Sequence, residues 1–207
     1  YVMSIKEDAD SEKSYQQLFD ITIFGAALAV VGVIFVAPFL TMILADKSYL
    51  QVIYVIPIMA FAQLISLAAN QFCVSFSLVK KTIYILYSIM FAGIVGIVIN
   101  FSFMGEFGYI ISGYSQVASY VVMGLFLFCY GKKVANLKIK LKNSFLIMSI
   151  VLFHIIGLQF INKSIIGGNY FYFVIVSVLV FNTIILVYIK QQKLNLRLLL
   201  ANLKKGF

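Results

Sequence analysis

Six long apolar runs, separated by short polar or basic connections, dominate this sequence. The runs cover residues 19–44, 52–78, 83–103, 110–130, 145–161 and 170–189. Most of them reach the roughly 20 mainly apolar residues that an α-helix needs to cross the hydrocarbon core of a bilayer. Hydrophobic residues make up 63% of the chain and charged residues 11%, whereas a soluble domain is about half apolar and a quarter charged. The sequence therefore predicts an all-α integral membrane protein with a six-helix transmembrane bundle over residues 19–189.

Basic residues are distributed unevenly among the connections of this predicted bundle. The chain holds 16 Lys and Arg against 7 Asp and Glu. Only Lys47 and Lys163 fall in the first, third and fifth connections, and all other basic residues lie near the chain ends or in the second and fourth connections. The positive-inside rule then gives six crossings with both ends of the chain in the cytoplasm. The basic residues form no helix face and do not interleave with aromatic residues, which excludes a nucleic-acid partner.

The two ends of the chain differ from its apolar middle. Residues 1–18 are polar and of mixed charge, which predicts a cytoplasmic link in which Asp10 or Ser11 caps the first helix. Residues 190–207 mix leucines with basic residues, which predicts an amphipathic cytoplasmic tail on the inner leaflet. The chain starts with Tyr1 instead of Met, and we expect it to be part of a longer protein.

Three of the predicted helices carry polar or small residues on one face. In the second run Gln63 and Asn70 are seven residues apart, with Ser66 between them; the third run has Asn100 near its end and the fourth has Gln116 among serines. Residues three, four or seven apart share one face of a helix, and amides within lipid need polar partners. The stripes predict either hydrogen bonds between helices or a cleft for a polar substrate, lined by Gln63, Asn70, Asn100 and Gln116.

The other reactive side chains form no catalytic or metal-binding pattern. His154 in the fifth run is the only histidine, and it is either a hydrogen-bonded structural residue, a proton relay or a further residue of the cleft. Asp20 is the only acid within a run, while Cys73 and Cys129 lack metal or redox spacing and fit as small apolar side chains. Without paired carboxylates or a nucleotide-binding motif, the sequence predicts neither an enzyme nor a cofactor or metal site.

The central part of the chain carries several short motifs in a fixed order. Lys81-Thr82 begins the third run, Asn100 stands near its end, Gly108 lies in the following turn, and Ser119-Tyr120 is in the fourth run. This order resembles the polysaccharide flippases of the multidrug/oligosaccharidyl-lipid/polysaccharide exporter superfamily, which move O-antigen and capsule repeat units. The spacing and topology fit over about residues 15–190.

The chain departs from the family pattern at Met104-Gly105, where Ile-Pro is usual, and at residues 111–113, where Gly-Ala-Ala is usual. The resemblance implies two bundles of about six helices around a central cleft, with this chain as the second bundle and a missing N-terminal bundle as its partner. It also implies a bacterial cytoplasmic membrane and an undecaprenyl-diphosphate-linked oligosaccharide as substrate. Alternating access would carry this substrate across the membrane for surface polysaccharide export.

Four lysines stand where the predicted crossings meet the cytoplasm, namely Lys80, Lys81, Lys132 and Lys133. The resemblance implies that they attract the diphosphate of the substrate. Membrane topology and contacts with the headgroups of membrane lipids are the alternative explanation of these lysines.

Three other functions are compatible with such a bundle. A drug or cation antiporter of the same superfamily requires an acid within the membrane for ion coupling, and in this chain only Asp20 is available. A membrane-embedded sugar polymerase is disfavoured because the predicted outer connections are short. The third alternative is a membrane scaffold without transport activity.

Overall fold

The computed structural model describes residues 9–44, 53–134, 139–165 and 174–190, with side chains described for 14–41, 43, 53–134, 139–157 and 174–190. Six helices cover these ranges, and no strand occurs within them. They are α1 (Ala9–Leu44), α2 (Ile56–Leu78), α3 (Ile83–Phe107), α4 (Ile110–Val134), α5 (Lys142–Ile165) and α6 (Val174–Lys190). The prediction of an all-α fold is therefore confirmed.

Four of the helices are long and apolar enough to cross a membrane. They are the segment Ser14–Thr41 of α1 and the whole of α2, α3 and α4. The apolar parts of α5 and α6 are shorter, at Lys142–Gly157 and Val174–Lys190. The protein is thus a multi-pass membrane protein, and the prediction that all six helices cross the bilayer remains a prediction.

Several helix ends differ from those of the predicted apolar runs, and the differences in α1 and α3 affect residues predicted as a link or a turn. Helix α1 begins at Ala9, so Asp10 and Ser11 lie in its first turn and do not precede it as caps. Helix α3 continues to Phe107, which makes Gly105 helical and leaves Gly108 and Tyr109 as the turn. Ala, Glu, Lys and Gln before residue 19 are good helix formers, and an isolated glycine at residue 105 does not end a helix that is already propagating.

The turn between α2 and α3 has a fixed geometry. Lys80 has a positive φ of 57°, and its N–H donates to the carbonyl of Ser77 at 3.1 Å while the N–H of Lys81 donates to Phe76 at 2.9 Å. These two bonds make the Schellman motif that closes many helices. A left-handed conformation costs a residue with a Cβ about 1 kcal/mol. Because the two hydrogen bonds require this conformation at Lys80, they hold the turn in one conformation.

All described lysine side chains lie at one end of the helices, which we call the lysine end. Tyr84 at the start of α3 contacts Tyr130 near the end of α4, with ring centroids 5.6 Å apart. Phe24 of α1 stacks on Tyr188 of α6 at 3.9 Å, and the backbone of Lys140 is hydrogen bonded to Gln16 of α1. The lysine end therefore holds Lys80, Lys81, Lys132, Lys133, Lys140, Lys142 and Lys190.

Helix α2 occupies the middle of the bundle, between α1 and α4. A row of aromatic rings joins the three helices: Phe72 of α2 stacks on Phe19 of α1 at 5.8 Å and contacts Phe128 of α4 at 5.7 Å. Leu64 and Phe76 of α2 are fully buried in the same core. Burial of such side chains fixes which faces of α1 and α4 meet α2.

Helix α3 packs mainly against α4 and leaves most of its surface uncovered. Only Ser88 and Ala92 of α3 are buried. Gly96 allows the close approach of α4, because a Cβ at this position would lie 2.6 Å from Ser119 Oγ. The remaining faces are apolar and exposed, up to 87% for Phe101, as expected of a helix in contact with lipid.

Several sequence predictions concern parts of the chain outside the described residues. These are the link over residues 1–8, the amphipathic tail over 191–207, the connection that contains Lys47, and the side chain of Lys163. They remain predictions.

Candidate functional site

A groove of about 570 Å³ lies between α2, α3 and α4. It brings together three of the amides that the sequence analysis singled out, Asn70, Asn100 and Gln116. Along α3 it extends from Ile89 to Asn100, which corresponds to about 16 Å of helix. Its lining is Met59, Ser66, Asn70, Ile89, Ala92, Gly93, Gly96, Ile97, Asn100, Ser112, Ser115, Gln116, Ser119, Tyr120 and Met123.

Asn100 is held in a defined orientation at one end of this groove. Its Nδ2 donates to Ser115 Oγ at 2.7 Å and to the carbonyl of Gly96 at 3.0 Å. Ser115 Oγ in turn donates to the carbonyl of Ser112 at 2.9 Å. Both amide hydrogens of Asn100 are therefore used within the protein, and no described residue donates a hydrogen bond to its carbonyl oxygen.

Gln116 presents a polar atom that no described residue satisfies. Its Oε1 is buried and accepts no hydrogen bond from the described part of the chain. Leaving a buried carbonyl oxygen without a donor costs about 1–3 kcal/mol. Because Oε1 itself is buried, a hydroxyl group or water inside the groove can supply the missing donor only after the Gln116 side chain rotates toward the groove.

The groove is uncharged over its described lining, and apolar atoms form more of its surface than polar atoms do. Amide, hydroxyl and aromatic groups stand beside Met59, Ile89 and Met123, and none of the lining residues is acidic or basic. Within the described residues, no group of three or more His, Cys, Asp or Glu side chains can hold a metal. Such a surface can donate and accept hydrogen bonds and can cover apolar patches of a ligand.

Two predicted cleft residues lie outside the groove. Gln63 is exposed on α2 and is not part of the lining. Each residue turns the helix by about 100°, so Gln63 lies about 60° around α2 from Ser66, at the edge of the polar stripe. His154 is 3% exposed on the buried face of α5, which packs against α1 and α2. Neither of its ring nitrogens has a hydrogen-bond partner among the described residues.

Asp20 of α1 also lies outside the groove. Asp20 is 8% exposed, and its Oδ1 accepts from Gln16 Nε2 at 3.1 Å and from Ser144 Oγ of α5 at 3.3 Å. Gln16 additionally donates to the carbonyl of Lys140 at 3.1 Å and accepts its N–H at 2.7 Å. We call Gln16, Asp20, Lys140 and Ser144 the α1–α5 clasp. Its bonds join the beginnings of the two helices.

The four lysines proposed from the sequence for diphosphate or headgroup contacts are exposed at the lysine end. Lys80 and Lys81 lie in the α2–α3 turn, and Lys132 and Lys133 lie in the last turn of α4. The lysines and the polar groove are therefore separate features of the same three helices.

The sequence analysis did not single out Ser115, although this residue holds Asn100. Ser115 follows Ser112 by three residues and precedes Ser119 by four, so its spacing already places it on their face of the helix. The apolar lining residues Met59, Ile89 and Met123 carried no comparable signal, because apolar residues are everywhere in these runs.

A comparison of the chain with protein-family models, curated proteins and solved structures finds no match. The interpretation of the groove therefore depends on its own geometry and chemistry.

Proposed function

We propose that this chain is a helical bundle of a membrane transporter, and that the groove between α2, α3 and α4 contacts the polar part of its substrate. The observation that supports this most is the gathering of Asn70, Asn100 and Gln116 on one surface of membrane-length helices. Polar amides at this depth are costly unless they meet other polar groups. The buried Oε1 of Gln116 has no donor among the described residues, and rotation of this side chain toward the groove would let a donor on the substrate satisfy it.

For the substrate, we propose a lipid-linked oligosaccharide, following the resemblance to the polysaccharide flippases. A glycan offers many hydroxyl donors and acceptors, which suit an uncharged lining of amides and serines. Glycans do not cross hydrocarbon unaided, so such a transporter has to cover the sugar with polar groups while the lipid tail remains in the bilayer. In this proposal a further bundle completes the cleft, the lysine end faces the cytoplasm, and the two bundles alternate in access.

The rival function within the same superfamily is a drug or cation antiporter. A site for a cationic substrate or a coupling ion requires a negative charge near the ligand. Asp20 is the acid that the sequence offers for this role, and it is bonded to Gln16 and Ser144, away from the groove. This placement favours the oligosaccharide proposal over the cation proposal.

A transport assay in vesicles tests the proposed function directly. We expect the purified, reconstituted protein to move a fluorescent lipid-linked oligosaccharide between leaflets, and a Gln116→Leu variant to lose most of this activity. The control is Gln63→Leu, which removes an amide of the same helix bundle outside the groove. Movement of cationic dyes without movement of the glycolipid would overturn the proposal in favour of the antiporter.

Cysteine labelling tests whether the groove contains water. After Cys73 and Cys129 are replaced by alanine, we expect Asn100→Cys to react with a charged, membrane-impermeant thiol reagent. The matched control is Phe101→Cys, one residue further along α3, where the side chain is 87% exposed on the apolar surface. We expect this control to react at least about tenfold more slowly, because a thiol in hydrocarbon is protonated and shielded from the reagent. Equal rates at both positions would contradict a hydrated groove.

A further inference from the structure

We propose that the α2–α3 turn and the end of α4 form a binding site for an anionic phospholipid. In this site Lys80, Lys81, Lys132 and Lys133 surround the headgroup phosphate, and the acyl chains lie along α3. The proposal does not depend on the transport function, since it assigns these lysines to a phospholipid of the membrane instead of the diphosphate of a transported substrate, and since it concerns the lysine end and not the groove.

Hydrogen bonds fix the backbone of the α2–α3 turn. Two backbone hydrogen bonds, from Lys80 to Ser77 and from Lys81 to Phe76, close the end of α2. They keep Lys80 at a φ of 57°. Both lysine side chains are exposed and project from a backbone that is already ordered, so binding a phosphate orders only their side chains.

The end of α4, which carries Lys132 and Lys133, lies near the start of α3 just after this turn. Tyr84, the second residue of α3, contacts Tyr130 of α4 with ring centroids 5.6 Å apart, and it also stacks on Phe76 of α2 at 5.8 Å. Lys132 follows Tyr130 by two residues, and its Nζ lies 4.1 Å from the ring centroid of Phe128. Phe128 itself packs on Phe72 of α2. The ammonium group of Lys132 therefore lies toward α2, on the side of the α2–α3 turn.

The described carboxylates do not compensate the positive charge of these lysines. Within the described residues, no carboxylate is bonded to these four lysines: Asp20 is engaged with Gln16 and Ser144, and Glu106 lies near the opposite end of α3. Lys80 and Lys81 are adjacent in the chain, as are Lys132 and Lys133, so like charges repel one another within each pair, and a phosphate nearby reduces this repulsion.

The apolar surface of α3 favours a lipid over a free phosphate as the ligand. Helix α3 begins two residues after Lys81 and exposes an apolar surface that includes Ile83, Leu86, Tyr87, Met90 and Ile94, each about half exposed. Tyrosines such as Tyr87 are typical of the level at which headgroups meet acyl chains. A ligand with a phosphate at one end and two apolar chains at the other covers both surfaces at once, which a soluble phosphate does not.

Fluorescence quenching by brominated lipids tests this site. The chain contains no tryptophan, so Tyr87→Trp introduces a single reporter next to the lysines. In phosphatidylcholine bilayers we expect brominated phosphatidylglycerol to bind near this reporter at least about 25-fold more tightly than brominated phosphatidylcholine, since each of the two turn lysines near an anionic lipid contributes about fivefold. The matched reporter is Phe101→Trp, on the exposed surface at the other end of α3, where we expect no preference.

Substitution of the lysines separates a built site from general attraction. Lys80→Gln with Lys81→Gln is expected to weaken the phosphatidylglycerol preference at the Tyr87→Trp reporter by roughly 25-fold, whereas Lys140→Gln with Lys142→Gln, at the start of α5, leaves it unchanged. If the first pair impairs folding, 0.5 M salt applied to the chain with its lysines intact is expected to remove the preference by screening. An equal preference at both reporters, an equal loss with both lysine pairs, a preference that persists in salt, or displacement of the lipid by millimolar inorganic pyrophosphate would each overturn the proposal.

Discussion

Replacing Asp20 with alanine is expected to lower the free energy of unfolding by about 2–3 kcal/mol. Its carboxylate accepts hydrogen bonds from Gln16 and from Ser144, and the Asp20 side chain itself is buried. The substitution removes the shared acceptor and leaves Ser144 Oγ, in a residue only 2% exposed, without its partner. Hydrogen bonds to charged groups are among the stronger ones in proteins. The thermal unfolding of the detergent-solubilised protein measures the loss.

The local nature of this effect provides its second readout. We expect amide hydrogen exchange in Asp20→Ala to become faster in the first turns of α5, because the α1–α5 clasp joins this part of α5 to α1. Exchange in the α3–α4 hairpin is expected to stay unchanged, since α3 packs mainly on α4. Uniformly faster exchange throughout the bundle would contradict a role limited to the α1–α5 contact.

Two adjacent glutamines give the matched control for the clasp. Gln16 bonds to Asp20 and, through both ends of its amide, to the backbone of Lys140, whereas Gln17 is exposed on the other side of α1. Gln16→Ala is expected to reduce stability in the same direction as Asp20→Ala, and Gln17→Ala to change it by less than about 0.5 kcal/mol. Similar losses for the two glutamines would mean that helix propensity, and not the clasp, explains the effect.

A valine at position 113 is expected to destabilise the protein by about 1–3 kcal/mol through overpacking. Gly113 is buried on α4, and a Cβ there would lie 3.1 Å from Ile58 Cγ2 and 3.4 Å from Val55 Cγ1. Both neighbours are β-branched and cannot easily turn away. Valine adds two methyl groups beyond that Cβ, so α4 has to move away from α2. The midpoint of thermal unfolding in detergent measures this loss.

Gly93 provides the control for this substitution. It lies in the interior of α3, but an added Cβ would meet nothing within 4 Å. Because valine has a slightly higher helix propensity than glycine, Gly93→Val is expected to leave stability unchanged or slightly raised. A loss at position 93 as large as the loss at position 113 would contradict the packing explanation and would point to a general intolerance of valine in these helices.

The helix ends were predictable where the sequence changes character abruptly. Leu78, Ile83 and Ile110 bound helices as predicted, because charged or glycine-containing segments interrupt the apolar runs there. The start of α1 and the end of α3 were not predictable in this way. Residues 9–18 are polar, yet they continue α1, since contacts such as the bond from the Tyr15 hydroxyl to the carbonyl of Gln71 hold them against α2.

The lining of the groove was predictable by helix face but not by partner. The stripe spacing assigned Asn70, Asn100 and Gln116 to polar faces of their helices, and these three residues line one groove in the structure. Periodicity specifies which residues share a helix face, but not which neighbouring helix that face meets. His154 shows the difference, because α5 packs against α1 and α2 and so carries this residue away from the groove. The resemblance to flippases, and the transport that it implies, remain predictions.

The α1–α5 clasp has a consequence for how the nascent chain enters the membrane. Asp20 and Ser144 are 124 positions apart in the sequence, and ribosomes add about 5–20 residues per second. For about 6–25 s after Asp20 is synthesised, its partner on α5 therefore does not yet exist. An ionised Asp at the centre of a membrane helix costs about 3 kcal/mol, so we expect the beginning of α1, with Asp20 near the lysine end, to stay at the level of the headgroups during this time. Insertion of the first helix is then completed only by the arrival of the fifth.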